Sequence, residues 1–172
     1  RIKQFDISGN AVRGYRGKIE DYQEFLLEGR FDVMMNYAVQ QWATDAVFPV
    51  LDQLPYPKVL VPCGFSALYD PMYAAYFKAM PEVMRRYDHL VFLSSRYRDI
   101  EFARRYGIRH FSIMPNGAAT EEFEQPDRTF RRRYGIKADS FVLLTVGTHT
   151  GVKGHRLCID AFRRARIPQG VL

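Results

Sequence analysis

The chain has 172 residues, with 25 Lys plus Arg against 19 Asp plus Glu and a formal net charge of +6. With 47% apolar and 26% charged residues it has the balance of a globular domain, which excludes a disordered tail or a collagen-like fibre. No run approaches about 18 consecutive apolar residues, which excludes an ordinary membrane-spanning helix. The two cysteines, Cys63 and Cys158, lack metal-ligand spacing and read as reduced thiols of a cytosolic protein.

The pattern along the chain alternates strands and helices. Residues 3–8 are expected as a strand, followed by a Gly-rich turn from Gly9 to Gly17. Residues 19–27 read as a helix ending at Gly29, and 31–38 as a buried strand. Residues 40–54 place Trp42, Ala46, Val47, Val50 and Leu51 at helical spacing despite Pro49, and residues 57–62 form a short strand between prolines. Residues 70–87 read as a helix that Pro81 should break or restart.

Residues 89–94 are a strand, after which Ser94 or Ser95 is expected to cap a helix over 96–106. Residues 110–114 are a strand, and Pro115-Asn116-Gly117 reads as a turn. A helix over 127–134, a strand over 141–147 (FVLLTVG) and a helix over 155–166 complete the series. In the last helix Leu157, Cys158, Ala161, Phe162 and Ala165 form one apolar stripe.

A local repeat, FARRYGI at 102–108 and FRRRYGI at 130–136, is explained by two helix ends. Arg favours the last turn, Gly the left-handed position after it, and Ile the closing hydrophobic contact. The alternation predicts an α/β fold whose parallel sheet is covered on both faces. Ligands of such sheets sit at the carboxyl ends of the strands. That directs attention to residues 38–41, 62–69, 94–97, 115–119 and 147–155.

The charge is uneven. Residues 1–100 balance 12 basic against 12 acidic groups, whereas residues 101–172 carry 13 basic and 7 acidic groups, a net +6. Such a region favours anionic partners, although a solvated basic face accounts for it equally well. The aromatic residues fall at core spacing, which argues against nucleic acid. In the loop 147–155 (GTHTGVKGH), Gly147, Gly151 and Gly154 allow close backbone approach, Lys153 adds a charge, and a helix N-terminus follows. Those features suit a phosphate, and they also suit an ordinary strand-to-helix loop, since the spacing is neither a P-loop nor G-x-G-x-x-G. His149 and His155, without a nearby carboxylate or thiolate ligand, do not make a metal site. Cys63 precedes Gly64 with no base implied beside it, and reads as a buried structural thiol.

Residues 111–165 resemble the middle of a glycosyltransferase of the two-domain GT-B type, most similar to the family 4 retaining enzymes. Ile113-Met114-Pro115-Asn116-Gly117-Ala118 resembles that family's I-P-N-G-V segment, with Glu122-Phe123 following. Gly147, five intervening residues and Lys153-Gly154 match its V-G-R-x-x-x-x-K-G stretch, and Ile159, Ala161 and Phe162 its next helix.

The resemblance implies a Rossmann-like architecture: the later part of an N-terminal, acceptor-side domain over residues 1–117, then a linker and the first strand-helix unit of the donor domain over 118–172. It implies a donor-diphosphate site at Gly147, Thr148, Lys153 and Gly154, with Asn116 and Gly117 at the cleft where one domain hands over to the next. Cys63, Gly64 and Phe65 fall near the acceptor-side loop. Thr148 stands where the family has a diphosphate-binding Arg, and Cys63 or a neighbour where a His is often found.

No residue is assigned a catalytic role, and no metal or cofactor is expected beyond a nucleotide diphosphate sugar as donor substrate. The expected partners are that nucleotide-sugar and a glycan or lipid-linked acceptor, with peripheral contact to the inner face of a membrane and self-association of the chain as further options. The alternatives are a nucleotide-sugar epimerase of the same architecture and a non-catalytic nucleotide-sugar-binding homologue. The chain, opening on Arg1, reads as a piece of a longer cytoplasmic protein and is expected to be inactive alone.

Overall fold

A computed structural model describes residues 2–125 and 129–172, and the chain divides into two compact units, Arg1–Gly117 and Ala118–Leu172. The first unit is α/β. Strands β1 (Ser8–Asn10) and β2 (Gly14–Arg16) form an antiparallel hairpin. Helix α1 (Ile19–Glu28) ends at Gly29, as expected. Strands β3 (Met34–Tyr37), β4 (Lys58–Val61), β5 (His89–Phe92) and β6 (Phe111–Ile113) then build a four-stranded parallel sheet in the order β3-β4-β5-β6. Between them lie α2 (Trp42–Asp45), α3 (Ala74–Arg85) and α4 (Arg98–Arg105).

Strand order follows chain order, so right-handed crossovers bring the connecting helices to one face of the sheet. Burial agrees with this. Asn36, Leu60 and Leu90 share one register row and are buried, while on the opposite face Met35 and Tyr37 are exposed and Val59, His89 and Val91 half-buried. Val61, on that opposite face, is buried too, so the expected cover on both faces is full on one face and partial on the other. The core of the fully covered face joins Val47, Leu51, Leu60, Met84, Leu90, Phe92 and Ile100, all fully buried. Each such side chain contributes about 1.5–3 kcal/mol relative to exposure.

Several boundaries differ from expectation. Residues 3–7 are irregular, because Phe5 is drawn into an aromatic cluster with Tyr22 of α1 at 5.1 Å and Trp42 of α2 at 6.4 Å between ring centroids. The expected helix over 40–54 is split into α2 and a 3-10 turn, Phe48–Gln53, with Pro49 in its first turn. Pro81, by contrast, does not break α3. Phe77, Met80 and Met84 bury around it, and this packing outweighs the single backbone bond that proline forfeits. Neither Ser94 nor Ser95 caps α4, whose N-cap is Tyr97; the Ser94 hydroxyl accepts from Arg96 N–H instead.

The second unit contains α5 (Phe130–Arg133), the two-residue strands β7 (Phe141–Val142) and β8 (Gly170–Val171), which pair in parallel, and α6 (His155–Ala165). Residues 127 and 128 of the expected helix over 127–134 lie outside the described residues. The strand expected over 141–147 is cut to β7, since only the short β8 offers it backbone partners. The apolar stripe of α6 is not buried: Leu157 is 74% exposed, Ala161 and Ala165 are exposed, and Cys158 and Phe162 are half-buried.

The two repeated helix ends behave as their sequence implies. Gly107 and Gly135 hold φ of +69° and +63°, and the amides of Ile108 and Ile136 donate five residues back, to the carbonyls of Ala103 and Arg131. Both are left-handed glycine caps of α4 and α5.

Candidate functional site

In the first unit, the loops leaving β3 and β4 stay side by side beyond the strands. Ala38 N–H donates to Val61 C=O at 2.8 Å, and Val39 N–H to Pro62 C=O at 3.3 Å. The β4 loop then turns through three left-handed residues, Cys63, Gly64 and Phe65, with φ of +63°, +100° and +49°. Gly64 N–H donates to the buried Asp99 carboxylate at 2.8 Å, and the Tyr97 ring lies over the glycine where a Cβ would come within 2.7 Å. Phe65 is fully buried against Phe77 and Phe102. A small pocket of about 180 Å³ opens here, lined by Cys63, Gly64, Leu93, Ser94, Tyr97 and Asp99.

Cys63 itself is exposed, which corrects the expectation of a buried structural thiol. The Phe65 ring, two residues on, takes the core position, and the reversed backbone leaves the thiol outside. The Tyr37 phenol pairs with it. That hydrogen bond and the electrostatics of the pair hold the phenol above its ordinary value of 10.

Beside this pocket lies a buried polar hub that sequence reading missed. Asp45, 1% exposed, accepts from Tyr76 Oη at 2.6 Å, Gln40 N–H at 3.0 Å and Ala11 N–H at 3.2 Å. Burial pushes its carboxyl up from 3.8, and these three donors act in the opposite sense. Burial and the Asp45 charge together hold the Tyr76 phenol well above its usual range, and raise Tyr15 to about 12. Asn10 completes the hub. Its carbonyl accepts from Val12 and Arg13 N–H, while its amide donates to Gln40 C=O at 3.2 Å and to Tyr73 Oη at 3.0 Å. Neither residue stands in a motif, and apart from the nearby amides of Gln40, Val12 and Arg13 their partners are 30 to 63 positions away, so no local pattern marks the hub.

In the second unit, residues 147–155 form an exposed turn. Residues Gly151–Lys153 make one 3-10 turn, and Gly154, at φ +69°, swings the chain into α6. Cys158 N–H is bonded to Gly154 C=O at 2.9 Å. The amides before it, at the open end of α6, have no intrahelical acceptor. The stem of Lys153 lies beside Gly147, where a Cβ would meet Lys153 Cβ and Cγ at 3.6 Å. Thr148 C=O accepts from His155 Nε2 at 3.1 Å, and the His149 and His155 rings stack with centroids 4.7 Å apart.

Gly147, both histidines, Leu144, Val146 and Ile159 help line a pocket of about 430 Å³. Gly147, Thr148, Lys153 and Gly154 are thus neighbours in one turn. Asn116 and Gly117 lie exposed in an irregular segment after β6 with no defined turn. Among the described residues no group of three or more His, Cys, Asp or Glu could hold a metal ion, and no helix is long and apolar enough to cross a membrane.

No family model and no curated protein matches the chain.

Proposed function

We propose that the chain is part of a glycosyltransferase of the GT-B type, which moves a sugar from a nucleotide diphosphate sugar to an acceptor hydroxyl with retention of configuration. In that reaction the bond from the anomeric carbon to the diphosphate breaks and the electron pair leaves with the diphosphate. A new bond forms to the acceptor oxygen, whose proton is lost. The chemical demand is for fixed positive groups at the leaving diphosphate.

The observation that carries the reading is the 147–155 turn, where Lys153 stands beside Gly147 at the open N-terminal end of an 11-residue helix. A lysine ammonium and unpaired amides together suit a diphosphate. The order of residues from Ile113 to Phe162 supports the same reading, with Cys63, Gly64 and Phe65 on the acceptor side.

Calorimetric titration of the chain with UDP and with GDP tests it. Replacing Lys153 by Ala should weaken binding of the preferred nucleotide by about tenfold or more, the worth of a charge-assisted contact. Equal affinity in the parent and Lys153→Ala chains, or no binding by either, would remove the donor-site assignment. Incubation of the longer protein with nucleotide-sugar separates transfer from isomerisation in place and from binding alone.

A further inference from the structure

Gln40 is hydrogen-bonded both to the Asp45 hub and to the loop that carries Cys63 and Gly64. Its amide is held by Asp45 Oδ1 at 3.0 Å and Tyr76 Oη at 3.1 Å, and its carbonyl by Asn10 Nδ2 at 3.2 Å. Those three bonds keep its backbone in the left-handed region, at φ +67°. That conformation is unfavourable for a residue with a side chain, so it persists where surrounding contacts impose it. The side chain then reaches across to the neighbouring loop, where Oε1 accepts from Ser66 Oγ at 3.2 Å and Ala67 N–H at 3.4 Å. Gln40 is only half-buried, so this reach is not forced by core packing.

We propose that Gln40 is a positioning residue for the small pocket at the carboxyl edge of the sheet, acting as a strap that transmits the rigidity of the Asp45 hub to the loop of Cys63, Gly64 and Phe65. The Gln40 side chain touches the far side of that loop, at Ser66 and Ala67, and sets the pocket wall through the backbone between. The inference holds whatever chemistry the pocket serves, and does not rest on the glycosyltransferase reading.

The proposal makes the acceptor oxygen of residue 40 the working atom, so an acceptor should suffice and an amide should not be required. Amide hydrogen exchange by NMR on the 172-residue chain separates the cases. Gly64 N–H is the reporter, because its hydrogen bond is to Asp99 and not to Gln40. Leu90 N–H, bonded to His110 C=O inside the sheet, reports global opening. In Gln40→Ala, Gly64 exchange should speed by about fivefold, the scale of one net hydrogen bond, with Leu90 unchanged. In Gln40→Glu, which keeps the acceptor, Gly64 should exchange as in the parent. The proposal falls if Gly64 is unaffected in Gln40→Ala, if Leu90 speeds equally, or if Gln40→Glu behaves like Gln40→Ala.

Discussion

Removing the Tyr76 hydroxyl tests the physics of the buried hub most directly. In Tyr76→Phe the ring packing against Phe48, Tyr73 and Phe77 is retained, and only the 2.6 Å bond to Asp45 is lost outright. Gln40 N–H, which shares its hydrogen between Tyr76 Oη and Asp45 Oδ1, keeps the second acceptor. The net loss is therefore one hydrogen bond to a buried carboxylate, about 1.5–3 kcal/mol.

The pH dependence carries the sharper signature. Burial raises the Asp45 carboxyl above 3.8, so its folded form binds the proton more tightly than its unfolded form. The stability this contributes is full below 3.8 and is lost as pH rises through the folded value. The Tyr76 bond opposes the rise, so its removal lifts the folded value further and extends the window of loss upward. The cost of Tyr76→Phe should thus be largest at neutral pH and shrink in acid, where Asp45 is protonated in both proteins. Urea denaturation of the two proteins between pH 4 and 8 measures both effects. A loss below about 0.5 kcal/mol at pH 7, or a loss that does not change with pH, would refute the account of Asp45 as a buried ionised hub.

Thr148→Arg should tighten nucleoside diphosphate binding severalfold in the same calorimetric titration, because a guanidinium adds charge and two aligned donors where a hydroxyl has one; unchanged or weaker binding would place the anion elsewhere. Tyr87→Phe removes the 2.7 Å bond to the buried Asn36 Oδ1 and should cost about 1–3 kcal/mol in denaturant, the penalty of an orphaned acceptor. Gly64→Ala places a Cβ 2.7 Å from Tyr97 at φ +100°, and should destabilise by about 1–3 kcal/mol while shifting the Tyr97 ring resonances. A Gly64→Ala protein as stable as its parent, with Tyr97 unmoved, would show that the loop relaxes freely.

Much of the secondary structure is legible in sequence because its causes are local. Gly29 ends α1, and the two YGI segments end α4 and α5 through bonds closed within six residues. The four parallel strands appear where short apolar runs stand between turn residues. Lys153, Thr148 and Gly147 could be grouped from sequence for the same reason, since one turn holds them. Pro81 and Pro49 mark the limit. Both are helix breakers by local rule, yet only the segment at Pro49 is interrupted, because burial of Phe77, Met80 and Met84 favours an unbroken α3.

The tertiary structure alone decided which side chains face water and which polar groups meet. Cys63 is exposed because Phe65 takes the buried position after a left-handed reversal, a choice of packing rather than of residue type. Phe5 leaves the expected strand for aromatic partners on two helices. Asp45 meets Ala11 and Tyr76 across 34 and 31 positions, and Asn10 meets Tyr73 across 63. A pattern within one turn or one strand is fixed by neighbours along the chain. A buried polar hub exists only after the sheet and helices have closed around it, when the cost of leaving each group unpaired selects the partner.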